Sequence, residues 1–71
     1  MNRLRDLRID RDLNQTKVAN ILNMSQSGYS KYETGENNIP TDVLTKLADF
    51  YHVSTDYLLG RVDNPSSSKK R

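Results

Sequence analysis

Residues 13–35 read LNQTKVANILNMSQSGYSKYETG, two short helical patterns on either side of a tight bend. Val18, Ala19 and Leu22 fall at helical spacing, so a helix from Gln15 with Asn14 as N-cap buries one stripe and exposes Gln15, Thr16, Lys17 and Asn20. The pattern predicts an end at Leu22. Asn23 tolerates the left-handed backbone that stops a helix, and Ser25 is a strong N-cap for the next one, over 26–34. Met24 can plug the gap inside the bend, and Ala19 is small enough for two helix axes to approach closely.

Two helices joined by a turn of three or four residues form the helix-turn-helix unit, whose second helix fits a DNA major groove. On a wheel of ~100 degrees per residue, Gln26, Ser27, Ser30, Lys31 and Thr34 cover one arc of roughly 140 degrees. Gly28, Tyr29, Tyr32 and Glu33 fill the other side. Gln can bond bidentately to adenine, Lys can donate to guanine, and Ser can do either, so the polar arc suits direct base readout. An ordinary solvated helix face is the alternative, and it is the preceding turn that favours readout.

Leu13 to Gly35, followed by Ile39, Pro40 and LTKLADFYHVSTDYLLG over 44–60, resembles the DNA-binding domain of the phage repressor and Cro family, the XRE-type regulators. Features recurring in register are Gln15 after the cap, Ala19 at the crossing, Ser25 at the start of the recognition helix, the Tyr32-Glu33-x-Gly35 ending, and Val53-Ser54-x-Asp56-x-Leu58-Leu59. The resemblance covers about residues 3 to 60 and implies an all-α, compact five-helix fold.

The remaining helices are expected at about 2–11, burying Leu4 and Leu7, at 42–51 after a Thr41 N-cap, and at 55–59 after a Ser54 cap. Leu44, Leu47, Ala48 and Tyr51 make the core stripe of the fourth. Gly60 closes the fifth as a C′ residue, and residues 61–71, with Pro65, three serines and a basic end, are expected to be a disordered tail.

With 71 residues the chain makes one domain, and a core of this size supplies roughly 3 to 5 kcal/mol of net stability. An enzyme, a cofactor, a small-molecule ligand and a ligand-sensing domain are not expected. There is no cysteine for a disulfide or thiolate site, and no apolar run suits a membrane span or signal peptide, so a cytoplasmic location is the default expectation. His52, the only histidine, lacks partners at metal or triad spacing, and Asp10 and Asp12 lie on a surface turn. The net charge of +2 divides into −1 for residues 1–60 and +3 for residues 61–71. Within the domain, residues 1–31 carry six basic and three acidic side chains, whereas 32–60 carry Lys46 against five carboxylates. Binding is therefore expected to rest on a few placed donors more than on bulk attraction.

The resemblance assigns base reading to Gln26, Ser27 and Lys31, with Ser30 a fourth candidate. It implies that Gln15 grips a phosphate, while Asn38 and Thr41 are the candidates to hold the phosphate on the other side, with Asn37, Tyr32, Lys46 and Ser25 weaker candidates. Tyr32 lies on the packing side of the wheel, although its hydroxyl can reach the backbone. Glu33 turns inward, and the resemblance implies a structural ion pair with Arg8. Gly28 departs from the family, which favours Ser, Thr or Ala there. Asp12 and Asn23 stand where the family often has Gly, so both turns should use residues that tolerate left-handed backbone.

The function these features imply is a sequence-specific double-stranded DNA-binding regulator, a repressor on a palindromic operator. A homodimer through the C-terminal helices is expected, with Phe50 and Tyr57 either packing inside or forming an apolar patch. The alternative is an antitoxin whose main partner is a toxin and whose DNA binding autoregulates its operon.

Overall fold

Three short polar side chains decide where helices begin. In the computed structural model, which describes residues 2–64, Asn14 Oδ1 accepts the Lys17 N–H at 2.8 Å, Ser25 Oγ that of Gly28 at 3.1 Å and Ser54 Oγ that of Tyr57 at 3.0 Å. Each satisfies an N–H that a helix start leaves without an intrahelical partner. The helices they cap are α2 (Gln15–Ile21), α3 (Gln26–Thr34) and α5 (Thr55–Leu58). With α1 (Leu4–Asp10) and α4 (Thr41–Tyr51) they make the described residues all-α.

Two starts differ from the sequence reading. The first helix begins at Leu4, not Asn2, because the Asn2 side chain accepts the Leu4 N–H at 3.1 Å and so stays outside the helix. Thr41 is the first residue of α4 and not its cap. Pro40, at φ −60° and ψ 151°, is the N-cap and makes no side-chain cap bond. Its ring presets an extended entry to the helix, so no side-chain oxygen is needed to set the angle.

Left-handed residues end the helices. Asp12 (φ 57°) and Asn23 (φ 62°) turn the chain as expected, and His52 (φ 58°) ends α4. Gly35 (φ 83°) ends α3, and a Cβ there would meet nothing within 4 Å, so it is the backbone angle alone that calls for glycine.

The core joins Leu4 and Leu7 of α1, Val18 and Ala19 of α2, Leu22, Tyr29 of α3, Leu47, Ala48 and Tyr51 of α4, and Leu58 of α5. Leu44, expected in the stripe, is only half-buried at its edge. Met24 packs against this core from inside the bend, and its Cε lies 3.1 Å from where a Cβ on Gly28 would stand. Gly28 thus leaves room for the methionine that fills the turn.

The chain ends close the fold. The Arg3 N–H donates to the Leu58 carbonyl at 2.8 Å, and its guanidinium donates to the carbonyls of Tyr57 and Val62, each at 3.0 Å. That guanidinium also lies 4.4 Å from the Tyr57 ring centroid. Residues 65–71 of the expected tail lie outside the described residues. The segment before them is held: Val62 by Arg3, and Arg61 through its N–H to the Asp56 carbonyl at 2.9 Å.

Substituting the two glycines of α3 and its end should separate these roles. Gly28→Ala is expected to change stability by less than ~1 kcal/mol, the gain in helix propensity being offset by displacement of the Met24 methyl and pressure on the capping Ser25 Oγ, each 3.1 Å from the added Cβ. Gly35→Ala is expected to cost about 1 to 2 kcal/mol for a left-handed Cβ. Urea titration followed by circular dichroism compares them, and a larger loss at position 28 than at 35 would contradict this account.

Candidate nucleic-acid interface

The Glu33 carboxylate lies at the junction of three helices, with its side chain only 3% exposed. Burying it costs free energy unless both oxygens find donors. Arg8 of α1 supplies two, Nε to Oε2 at 2.6 Å and Nη2 to Oε1 at 3.2 Å, while its Nη1 donates to the Leu13 carbonyl at 3.0 Å. The ion pair implied by the family resemblance is therefore bidentate. Gln15, the first residue of α2, supplies the third donor, Nε2 to Oε1 at 3.0 Å. The other end of that amide faces the first residue of α3, and Gln15 Oε1 accepts a hydrogen bond from Gln26 Nε2.

Burial alone would raise the Glu33 carboxyl, but Arg8, Tyr29 and Gln15 outweigh it and hold it below the usual carboxylate range. The hydrogen bond to Glu33 likewise raises Arg8. Burial first, and then the Glu33 charge, push the hydroxyls of Tyr29 and Tyr51 above the ordinary tyrosine range. Tyr29 lies close enough to Glu33 to interact with it, yet neither tyrosine hydroxyl makes a hydrogen bond of normal geometry. Sequence reasoning did not single out these hydroxyls, although Tyr29 precedes Glu33 by one helical turn on the packing side.

Beyond this buried cluster, Gln26, Ser27 and Lys31 are exposed on α3 and Ser30 is half-buried, all on one side of the helix by their spacing. Ser25 is exposed, but its Oγ is already engaged as the cap. The Asn37 N–H donates to the Lys31 carbonyl at 3.1 Å, which folds the loop after α3 back onto that helix. Asn37, Asn38, Thr41 and Lys46 are exposed. Tyr32 is half-buried against the core, and its carbonyl accepts from Asn2 Nδ2 at 2.8 Å.

Phe50 and Tyr57 are half-buried as well, Phe50 edge-on to Tyr51 with ring centroids 5.0 Å apart and Tyr57 beneath Arg3. Ile9 is the large apolar side chain that stands exposed among the described residues. Those residues hold no group of three or more histidines and carboxylates able to bind a metal ion. No described helix is long and apolar enough to cross a membrane.

A capped helix, a left-handed Asn turn and a second capped helix with a polar outer face define a helix-turn-helix protein. Comparison agrees: the helix-turn-helix family description matches residues 4–58, and the chain belongs to the XRE-type, phage-repressor-like family of that class. It is 36% identical over 74 residues to the cryptic phage CTXphi transcriptional repressor RstR of Vibrio cholerae, covering 99% of this chain and 67% of that one. The HTH-type transcriptional regulator ImmR of Bacillus subtilis is 41% identical over 59 residues, 83% of this chain and 46% of that one. The uncharacterized HTH-type transcriptional regulator YobD of the same organism is 38% identical over 69 residues, 97% and 62% respectively. The chain thus spans about half to two thirds of the length of these curated relatives. No solved structure gives a significant match. The relatives are transcriptional regulators, a non-enzymatic family whose members bind double-stranded DNA.

Glu33 and the two buried tyrosines make the stability of the fold depend on pH at opposite ends of the scale. A carboxyl held below its unfolded value contributes stability that is present above about pH 4.3 and is lost as pH falls through the folded value. The raised tyrosines contribute stability that is complete below about pH 10 and is lost as pH rises beyond it. Melting temperature should therefore fall on both sides of a broad plateau, with the alkaline fall reduced in Tyr29→Phe. Arg8→Ala, which strands a buried charge, is expected to cost about 3 to 5 kcal/mol, enough to unfold a domain this small. An unchanged thermal melt for Arg8→Ala would overturn the structural assignment of the pair.

Proposed function

We propose that this chain is a sequence-specific transcriptional regulator that binds double-stranded DNA through the major groove and represses from a palindromic operator. The observation that carries the reading is α3 itself, whose outer side presents Gln26, Ser27 and Lys31 to solvent while Tyr29 and Glu33 anchor it beneath. In this reading Gln26, Ser27 and Lys31 contact base edges, with Ser30 at the margin. Asn38 and Thr41 contact the sugar-phosphate backbone on the far side of α3, and Asn37 and Lys46 lie within the same exposed region. Gln15 contacts a phosphate in the same reading: one Nε2 hydrogen is bonded to Glu33 and its Oε1 accepts from Gln26, which leaves the second N–H to donate.

A homodimer belongs to the proposal on energetic grounds. One module of this size contacts only a few base pairs, whereas two modules one helical turn apart, ~34 Å, gain affinity and specificity together. Phe50 and Tyr57 retain part of their surface for a partner. Repression is the simplest outcome of occupying a promoter, and one of the similar proteins, RstR, is named a transcriptional repressor.

Selection of bound duplexes from a random pool tests the reading, with a two-fold symmetric consensus as the expected result. Lys31→Ala should relax preference at particular positions by ~1 to 3 kcal/mol each, while Asn38→Ala should weaken all duplexes alike. Equal, sequence-independent losses from both would contradict the division of labour.

A further inference from the structure

The last carbonyls of a helix have no intrahelical partner, and in α3 they belong to the turn from which Lys31 projects. The Lys31 carbonyl accepts the Asn37 N–H at 3.1 Å and the Thr34 hydroxyl at 3.2 Å, and the Tyr32 carbonyl accepts the Gly35 N–H at 3.3 Å. These donors are local. A shorter bond comes from far off in the chain: Asn2 Nδ2 donates to the Tyr32 carbonyl at 2.8 Å, across 30 positions. Asn2 Oδ1 is engaged as well, accepting the Leu4 N–H at the start of α1 at 3.1 Å. One carboxamide thus joins the beginning of α1 to the end of α3, and it stands before residues 4–58, which carry the family match.

The last turn of a helix is the part that frays most readily. Donors from residues 34–37 travel with a loosened turn, so they do little to hold it in place. Asn2 belongs to a separate element and acts on the backbone itself, whereas Arg8 acts through the Glu33 side chain. Asn2 also lines one surface notch with Gly35, Asn37 and Asn38, which puts it beside the loop that follows α3. A base contact needs its side chain aimed before binding, since ordering a frayed turn on the DNA subtracts from affinity. We propose that Asn2 is a positioning residue for DNA recognition: by holding the Tyr32 carbonyl it pre-orders the last turn of α3 and so aims Lys31, while Gln26 at the other end of the helix is placed without it. The inference rests on the DNA-reading proposal above and adds to it a residue from outside the helix-turn-helix.

Duplex selection with Asn2→Asp and Asn2→Ser tests this. Both side chains keep an oxygen able to accept the Leu4 N–H, so the start of α1 is preserved. Neither can replace the bond to Tyr32, because an ionised carboxylate only accepts and the serine hydroxyl ends one atom short of the Asn2 amide nitrogen. Positions that lose their preference in Lys31→Ala identify the bases read by Lys31. At those positions the ratio of preferred to next-best base should fall about three- to tenfold in both variants, the scale of one hydrogen bond, while positions that depend on Gln26 keep theirs. Ratios are compared because the aspartate adds a negative charge that weakens all duplexes alike. In the free protein, the Asn37 backbone amide should exchange with water several times faster in both variants, and the Lys17 amide, held by the Asn14 cap, at its wild-type rate. Unchanged ratios at the Lys31 positions, an equal loss at every position, or an unchanged Asn37 exchange rate overturns this inference alone. Two variants that fail to fold mark Asn2 as structural and overturn it as well, as does a wild-type Asn2 side-chain amide exchanging as fast as that of exposed Asn38. A wild-type pool with no consensus overturns the DNA-reading proposal together with it.

Discussion

A carboxylate removed from water must have its charge answered on the spot, and Glu33 is answered from three directions. Arg8 reaches it from α1, Gln15 from the first turn of α2, and Tyr29 lies one turn earlier on its own helix. Because Arg8 and Gln15 donate from two different helices to a carboxylate on a third, the three helices can satisfy the charge only in one mutual arrangement. Apolar packing among Leu4, Val18 and Tyr29 would tolerate small slides of one helix over another, while a bidentate guanidinium does not. The ion pair thus adds selection among packings, and the angle at which α3 is presented follows from it.

Much of this was legible locally. Asn14, Ser25 and Ser54 cap the helices they were expected to cap, and Asp12, Asn23 and Gly60 take the left-handed backbone expected of them. Such features depend on neighbours within four residues, so spacing alone reveals them. The Arg8–Glu33 pair, 25 residues apart, was accessible because the helical wheel turned Glu33 inward and the family resemblance supplied a partner. The Arg3 contacts were not accessible. They join residues 54 to 60 positions apart in the chain, and an arginine near a helix start carries no local mark of its destination. The Pro40 cap was missed for a different reason, since threonine at 41 is the stronger cap by side chain and the ring acts only through backbone geometry.

Within the site, the identity of the exposed residues of α3 was legible and the commitment of their hydrogen bonds was not. A wheel shows that Gln26 faces outward. It cannot show that one of its N–H groups is held by Gln15, because the two residues lie on different helices whose crossing is set by the core. Gly28 became intelligible only when Met24 could be seen occupying the space beside it. The charge distribution is legible in the same partial way: residues 1–60 carry a net charge of only −1, but which of their donors remain free is visible only in the fold.

Arg3 binds residues near position 60 through its N–H and its guanidinium, so the beginning and the end of the domain are completed together. That guanidinium and the carbonyls of Tyr57 and Val62 are satisfied only when both segments are in place. Loss of residues 57–62 leaves Arg8, Gln15 and Glu33 with their mutual partners but uncovers the floor of the core made by Leu58. Truncation from either side of the domain therefore opens the same seam.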